Sequence, residues 1–250
     1  MAENQNPPQS NGDGNKAKKL DVEKELKTGD FRVAIFGSAR IKPGDEVYEQ
    51  IFDLARSIGA RGYDVVTGGG PGLMEAGNKG HAAGDAAGRA ESIGLNIELP
   101  FEQTSNPYVE FEQDFENFSE RLDTFMKLSN IFVITPGGVG TMLEFFFTWQ
   151  LLQVKKMSYK PIILVGEMWE KLIHWVIDYA LKDGLISSSD FDYVYIVRNN
   201  DEALSLIDHF HAQCGDGGEC HPINKDELEL RKKIVPKFDG KDGKEVEESE

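Results

Sequence analysis

From residue 31 to about residue 212 the chain switches six times between a short apolar run and a longer stretch with apolar residues at helical spacing. The runs are FRVAIFGSA, YDVVTGGG, SIGLNIELP, NIFVITPGG, KPIILVG and DYVYIV. They are too short for helices and too continuously apolar for strands with one wet face, so each reads as a strand buried on both sides. Between them, Val47, Ile51, Leu54, Ala55 and Ile58 fall on one helical face, and the following "RG" closes that helix. Pro71 opens the next helix, PGLMEAGNKGHAAGDAAG, where its missing N–H costs least. Further helices are expected near 118–128, from Gly140 to about Lys156, over MWEKLIHWVIDYALKDG and over DEALSLIDHFHA. Residues 101–117 read as irregular. Strands joined by helices pair in parallel, because only a crossover returns the chain to the same edge.

The fold class is therefore α/β, a Rossmann-like doubly wound parallel sheet in a single domain over 29–212. Residues 1–28 lack apolar periodicity, and 213–250 end in DGKDGKEVEESE. Segments of that kind bury too little apolar surface to offset their ordering entropy, so both are expected to be disordered tails. The remaining length, about 185 residues, suffices for a sizeable core. A net charge of −16 argues against a nucleic-acid partner, which needs a basic face. It leaves room for a single phosphate held by backbone N–H groups. No apolar run approaches a membrane span and no basic N-terminus leads into an apolar signal region. Two cysteines exclude a disulfide scaffold and make a reducing cytoplasm the expected setting.

Three strand ends carry small-residue loops: GSA at 37–39, TGGGPG at 67–72 and TPGGVGT at 135–141. In such sheets ligands bind beyond the carboxyl ends of the strands, where the strand order changes direction. Neither nucleotide fingerprint fits: the first strand ends in GSAR instead of G-x-G-x-x-G, and no G-x-x-x-x-G-K-[ST] exists. What remains is a phosphate cradle of bare backbone. Gly137 and Gly138 let an anion approach without Cβ interference. Gly140 and Thr141 then open a helix whose first N–H groups are unpaired and whose dipole favours negative charge. Thr141 and Glu144 also match a capping box, which leaves two readings of Glu144: a cap for its own helix, or a carboxylate facing the cleft. Gly77, Gly80 and Gly84, at helical spacing, suit close helix packing more than a ligand.

PGGVGTMLE at 136–144 resembles PGGxGTxxE, the signature of the Lonely Guy family, long mislabelled as lysine decarboxylases. GGGPGLMEAGNKG, SIGLNIELPFEQTSNPY and KPIILVGEMWEKL are similar to the same family, particularly to its larger bacterial branch. The resemblance covers roughly residues 31–210. It implies a phosphoribohydrolase that cleaves the N-glycosidic bond of a nucleoside 5′-monophosphate, AMP or a cytokinin ribotide. It also implies no metal or organic cofactor and a homodimer or higher homo-oligomer. Decarboxylation would require pyridoxal phosphate, for which no site is visible. By the resemblance, Pro136, Gly137, Gly138, Val139, Gly140 and Thr141 would hold the 5′-phosphate, with Ser38, Gly69 and Gly70 lining the same cleft. Glu144 would stabilise an oxocarbenium-like transition state, as carboxylates do in glycoside hydrolysis, and Arg121 would be its basic partner.

Three positions depart from the family pattern. Leu122 stands where a lysine is expected, Leu143 where an acid is common, and Thr148 lies two positions early, so it is given no role. The two leucines remove charge from the base side of the pocket. A carrier of a phosphate-bearing cofactor, such as molybdenum cofactor, is the rival expectation on this fold. HFHAQCGDGGECH at 209–221 gathers three of the five histidines and both cysteines, but its spacing matches no common zinc site. No metal site is expected there. Phe145, Phe146, Phe147 and Trp149 are expected in the core or at a subunit contact, and His81 and His174 on helix surfaces.

Overall fold

The computed structural model describes residues 17–99, 104–214 and 220–223. The strands are β1 (Lys18–Lys19), β2 (Arg32–Phe36), β3 (Asp64–Thr67), β4 (Ser92–Ile97), β5 (Phe111–Phe115), β6 (Ile131–Ile134), β7 (Ile162–Val165) and β8 (Val194–Val197). The helices are α1 (Val22–Glu25), α2 (Glu46–Arg61), α3 (Leu73–Gly84), α4 (Phe118–Leu128), α5 (Val139–Gln153), α6 (Glu167–Val176) and α7 (Asn200–Cys214). A π-helical turn, Ile177–Leu181, extends α6, and a 3₁₀ segment, Ser188–Tyr193, leads into β8. No helix among the described residues is long and apolar enough to cross a membrane.

All eight strands form one parallel sheet in the order β1-β5-β4-β3-β2-β6-β7-β8. The pleat divides each strand between two layers. Val33 and Ile35 face a core built with α2, α3 and α7, while Ala34 and Phe36 face one built with α4, α5 and α6. α2 closes on Gly62 in the left-handed conformation, φ 78°, as its "RG" ending leads one to expect. Gly80 and Gly84 bring α3 against the backbone of α2, where a Cβ would strike the Phe52 and Arg56 carbonyls. The order reverses between β2 and β6, which pair in register from Val33↔Ile131 to Phe36↔Ile134. The loops after these two strands are therefore side by side at the switch point.

Two strands were not expected. β5 lies inside the stretch read as irregular, and β1 inside the expected N-terminal tail, which needs correcting from residue 17 onward. Phe111–Phe115 reads FEQDF, so charge hides its strand character, yet it pairs with β4 along its whole length. The expected tails at 1–16, 215–219 and 224–250 lie outside the described residues. β1 and α1 are held at the other end of the sheet from the switch-point loops. There the buried Arg32 guanidinium meets Glu25 at 2.9 Å, Asp64 at 3.2 Å and Asp30 at 3.3 Å. Cys214 and Cys220 are joined by a disulfide that ties the end of α7 to residues 220–223. One short crosslink is not a scaffold, but it is a bond that a reducing cytoplasm does not favour. It also removes both sulfurs from any metal set, and no three His, Cys, Asp or Glu side chains come together to hold a metal ion among the described residues.

Candidate active site

A cleft of about 550 Å³ opens beyond the carboxyl ends of β2, β3 and β6. All three small-residue loops reach it: Ser38 and Arg40 from the first, Gly68 and Gly70 from the second, Gly138, Val139, Gly140 and Thr141 from the third. Gly138 caps α5 with no side-chain hydrogen bond, and the first turn of α5 carries no acid. Its leading N–H groups are therefore left for an anion. Ser38 N–H donates to the Pro136 carbonyl at 3.1 Å, which ties the first loop to the third.

Arg121 and Glu144 meet in the wall of this cleft. α4 presents Arg121 on the face it buries together with Leu122, Phe125 and Met126, and the residue is 6% exposed. Its Nε donates to the Leu95 carbonyl at 2.6 Å, and one terminal nitrogen donates to Glu144 Oε1 at 3.1 Å. The Phe125 ring lies under the guanidinium, 5.1 Å from its centre. The second terminal nitrogen makes no hydrogen bond among the described residues and comes up against Gly68, where any Cβ would collide with it. A solvated helix arginine is thereby excluded. Glu144 does not cap α5, because Thr141 sits inside the first turn and Gly138 holds the cap position. Burial pushes the Glu144 carboxyl above its ordinary range, and the charge and hydrogen bond of Arg121 pull it back only in part.

Of the residues singled out in the sequence, Ser38, Gly70, Gly138, Val139, Gly140, Thr141, Arg121 and Glu144 line the cleft. Gly69, Pro136 and Gly137 stand behind that lining. Gly137 packs on the Thr141 side chain, and Pro136 on Gly166. Leu122 is buried and Leu143 half-exposed, and both belong to an apolar side of the cleft shared with Phe118, Ile97 and Leu99. Thr148 Oγ1 donates to the Glu144 carbonyl at 2.7 Å, a bond within α5. Phe145 and Trp149 are core residues, whereas Phe146 is 41% exposed. His81 is buried in α3 with Nε2 at 3.0 Å from the Tyr63 carbonyl, not on a surface as its helical position suggested. Arg40, Met74, Asn96, Thr104 and Ser105 also line the cleft, though none was singled out from the sequence. Arg40 was the one with a signal, a cation directly after GSA. Asn96 and Ser105 sit in no phosphate motif; Asn96 Nδ2 donates to Ser105 Oγ at 2.8 Å, which holds the two together at the cleft.

A family model described as possible lysine decarboxylase matches residues 74–207. The pyrimidine/purine nucleotide 5′-monophosphate nucleosidase of Escherichia coli K12 is 30% identical over 140 residues, covering 54% of this chain and 30% of that enzyme. The chain thus spans less than a third of that relative's length. The cytokinin riboside 5′-monophosphate phosphoribohydrolase of Mycobacterium tuberculosis is 26% identical over 183 residues, covering 71% of this chain and 93% of that one. Among solved structures, the molybdenum cofactor carrier protein of Chlamydomonas reinhardtii superposes with a TM-score of 0.54 at 19% identity, covering 73% of this chain and 99% of the carrier. That last likeness is one of fold.

Proposed function

The chain belongs to the Lonely Guy family, whose older description is possible lysine decarboxylase, and on that premise we propose that it hydrolyses nucleoside 5′-monophosphates to free base and ribose 5-phosphate. The observation that carries the reading is the buried Arg121–Glu144 pair, set in the same cleft as the open N-terminus of α5. The unpaired N–H groups at Gly138–Thr141 hold the 5′-phosphate, which places the ribose beside Glu144. Hydrolysis breaks the C1′–N bond and forms a C1′–O bond to water, and the proton released by water balances the departing base. Positive charge grows on the ribose as that bond stretches. A carboxylate fixed by Arg121 and shielded from solvent stabilises it far better than one free in water. Arg121 favours the ionised form of Glu144 and aims it, and its second terminal nitrogen is free for a phosphate or base oxygen. The apolar side, with Leu122 and Leu143 in place of charged groups, suits stacking on a base more than reading its polar edge.

The same reading makes the unit a homodimer or higher homo-oligomer. Apolar residues fall on every side of α5, and Val139 (84%), Leu143 (46%) and Phe146 (41%) remain exposed on it. It also sets the enzyme in the cytoplasm, where its substrates are made and where the Cys214–Cys220 bridge must resist the thiol pool. The test is a panel of nucleoside 5′-monophosphates and their unphosphorylated nucleosides, with free base measured by chromatography. Base is expected from the monophosphates and not from the nucleosides. Monophosphates that bind without releasing base would favour a carrier on this fold instead.

A further inference from the structure

Behind the second glycine loop lies a closed set of buried amides and hydroxyls that the chemistry above does not use. Thr67 Oγ1 accepts from Gly69 N–H at 3.0 Å and donates to Asn78 Oδ1 at 2.7 Å. Asn78 Nδ2 donates to Ser92 Oγ at 2.9 Å. The centre of the set is Asn106, 7% exposed, whose Nδ2 lies 3.0 Å from the Gly69 carbonyl, 3.1 Å from that of Gly70 and 2.9 Å from Asn78 Oδ1. Its own N–H also donates to the Gly69 carbonyl at 2.8 Å, and its Oδ1 accepts from Tyr108 N–H at 3.2 Å.

The geometry has a consequence on the other side of the loop. No peptide bond among the described residues is cis, and the C=O and N–H of a trans peptide point in opposite directions. With the Gly69 carbonyl drawn back to Asn106, the N–H of the same peptide, that of Gly70, points away from Asn106. Gly70 lines the cleft, and its N–H makes no hydrogen bond among the described residues. Gly69 accommodates this by its left-handed φ of 69°, and Asn96 Oδ1 sits so close that no Cβ fits there. Asn106 also follows directly on Thr104 and Ser105, which line the cleft.

We propose that Asn106 is a positioning residue for the anion site, its side-chain amide turning the Gly69–Gly70 peptide so that the Gly70 N–H donates to the bound phosphate. This rests on the hydrolase reading only for where the phosphate lies, so the test includes a binding arm that needs no turnover. Asn106→Asp keeps the shape and the oxygen facing Tyr108 but loses the donated protons. It is expected to bind ribose 5-phosphate, by calorimetry, about tenfold more weakly, the worth of one hydrogen bond to a charged group. KM for AMP should rise by a similar factor while kcat stays within about threefold, since Arg121 and Glu144 are untouched. Thr67→Val, which releases the Gly69 N–H, should weaken the same binding. The two changes should be less than additive in the double variant, because they act on one loop.

An Asn106→Asp protein that melts earlier yet binds ribose 5-phosphate like wild type would reduce Asn106 to a packing residue and overturn the proposal. If that variant does not fold, Thr67→Val decides: unchanged affinity overturns it, weakened affinity supports it. A wild type that binds ribose 5-phosphate but leaves AMP intact defeats the hydrolase reading, while the binding arm still judges Asn106. A wild type that binds neither ribose 5-phosphate nor inorganic phosphate overturns both.

Discussion

Glu144 is pulled in two directions, toward its proton by burial and away from it by Arg121, and burial prevails. If the carboxylate is the working form, the acid limb of kcat/KM must lie above the ordinary glutamate value of about 4.3. Activity is then lost as pH falls through that raised value. Arg121→Ala removes the charge and the hydrogen bond that lower it and leaves the desolvation, so the limb should move further up; a limb that moves down contradicts the assignment. Arg121→Lys keeps a charge but not the planar fork that reaches Leu95 and Glu144 together, and a loss on the order of 10²-fold in kcat is expected from steady-state rates. At this scale the glycine-rich turn and helix start fixed where Glu144 stands but left it either a cap or a cleft carboxylate, and Arg121 was marked only by the family resemblance. Asn96 and Asn106 were not legible. An asparagine in a polar stretch carries no period, and both gain their meaning only from the Gly69 backbone they touch.

At the scale of elements, six strands announced themselves by apolar runs buried on both faces, as Val65, Val133 and Ile163 show at 0% exposure. β5 did not, because a strand near the sheet edge needs fewer apolar residues, and its partners decide its structure more than its propensity does. β1, two lysines long, has no pattern to read. It pairs with β5 and leads into α1, whose Glu25 joins buried Arg32 and Asp64 and the partly buried Glu91 in a group with more negative than positive charge. Desolvation, opposed in part by Arg32, pushes Asp64 up to about 6 and Glu91 up to about 7. Unfolded carboxyls ionise near 4, so the native state binds more protons across the window from about 4 to 7, and this cluster loses stability as pH rises through it. Glu91→Gln should shrink the drop in melting temperature between pH 5 and pH 8 relative to wild type. An unchanged drop, measured by thermal unfolding at both pH values, would speak against the cluster as its source.

Over the whole molecule, a net charge of −16 is compatible with the proposed anion site because its donors would be local peptide groups instead of a basic surface. In the proposed assembly, two copies meet at the apolar face of α5 next to that cleft. Phe146→Glu, which places a charge on this face, should convert a dimer to a monomer in light scattering, and a wild type that is already monomeric contradicts the assembly. The layered fold was legible from alternation alone; assembly and substrate were not, since exposed apolar residues and a glycine loop are each compatible with several partners. The central claim concerns chemistry at one carboxylate, and it is tested most directly by incubating AMP with wild type and with Glu144→Gln while adenine, ribose 5-phosphate and bound AMP are all measured. Wild type is expected to yield adenine and ribose 5-phosphate in equal amounts, and the variant to bind AMP but release neither. Equal release by both proteins, or by neither, would contradict it.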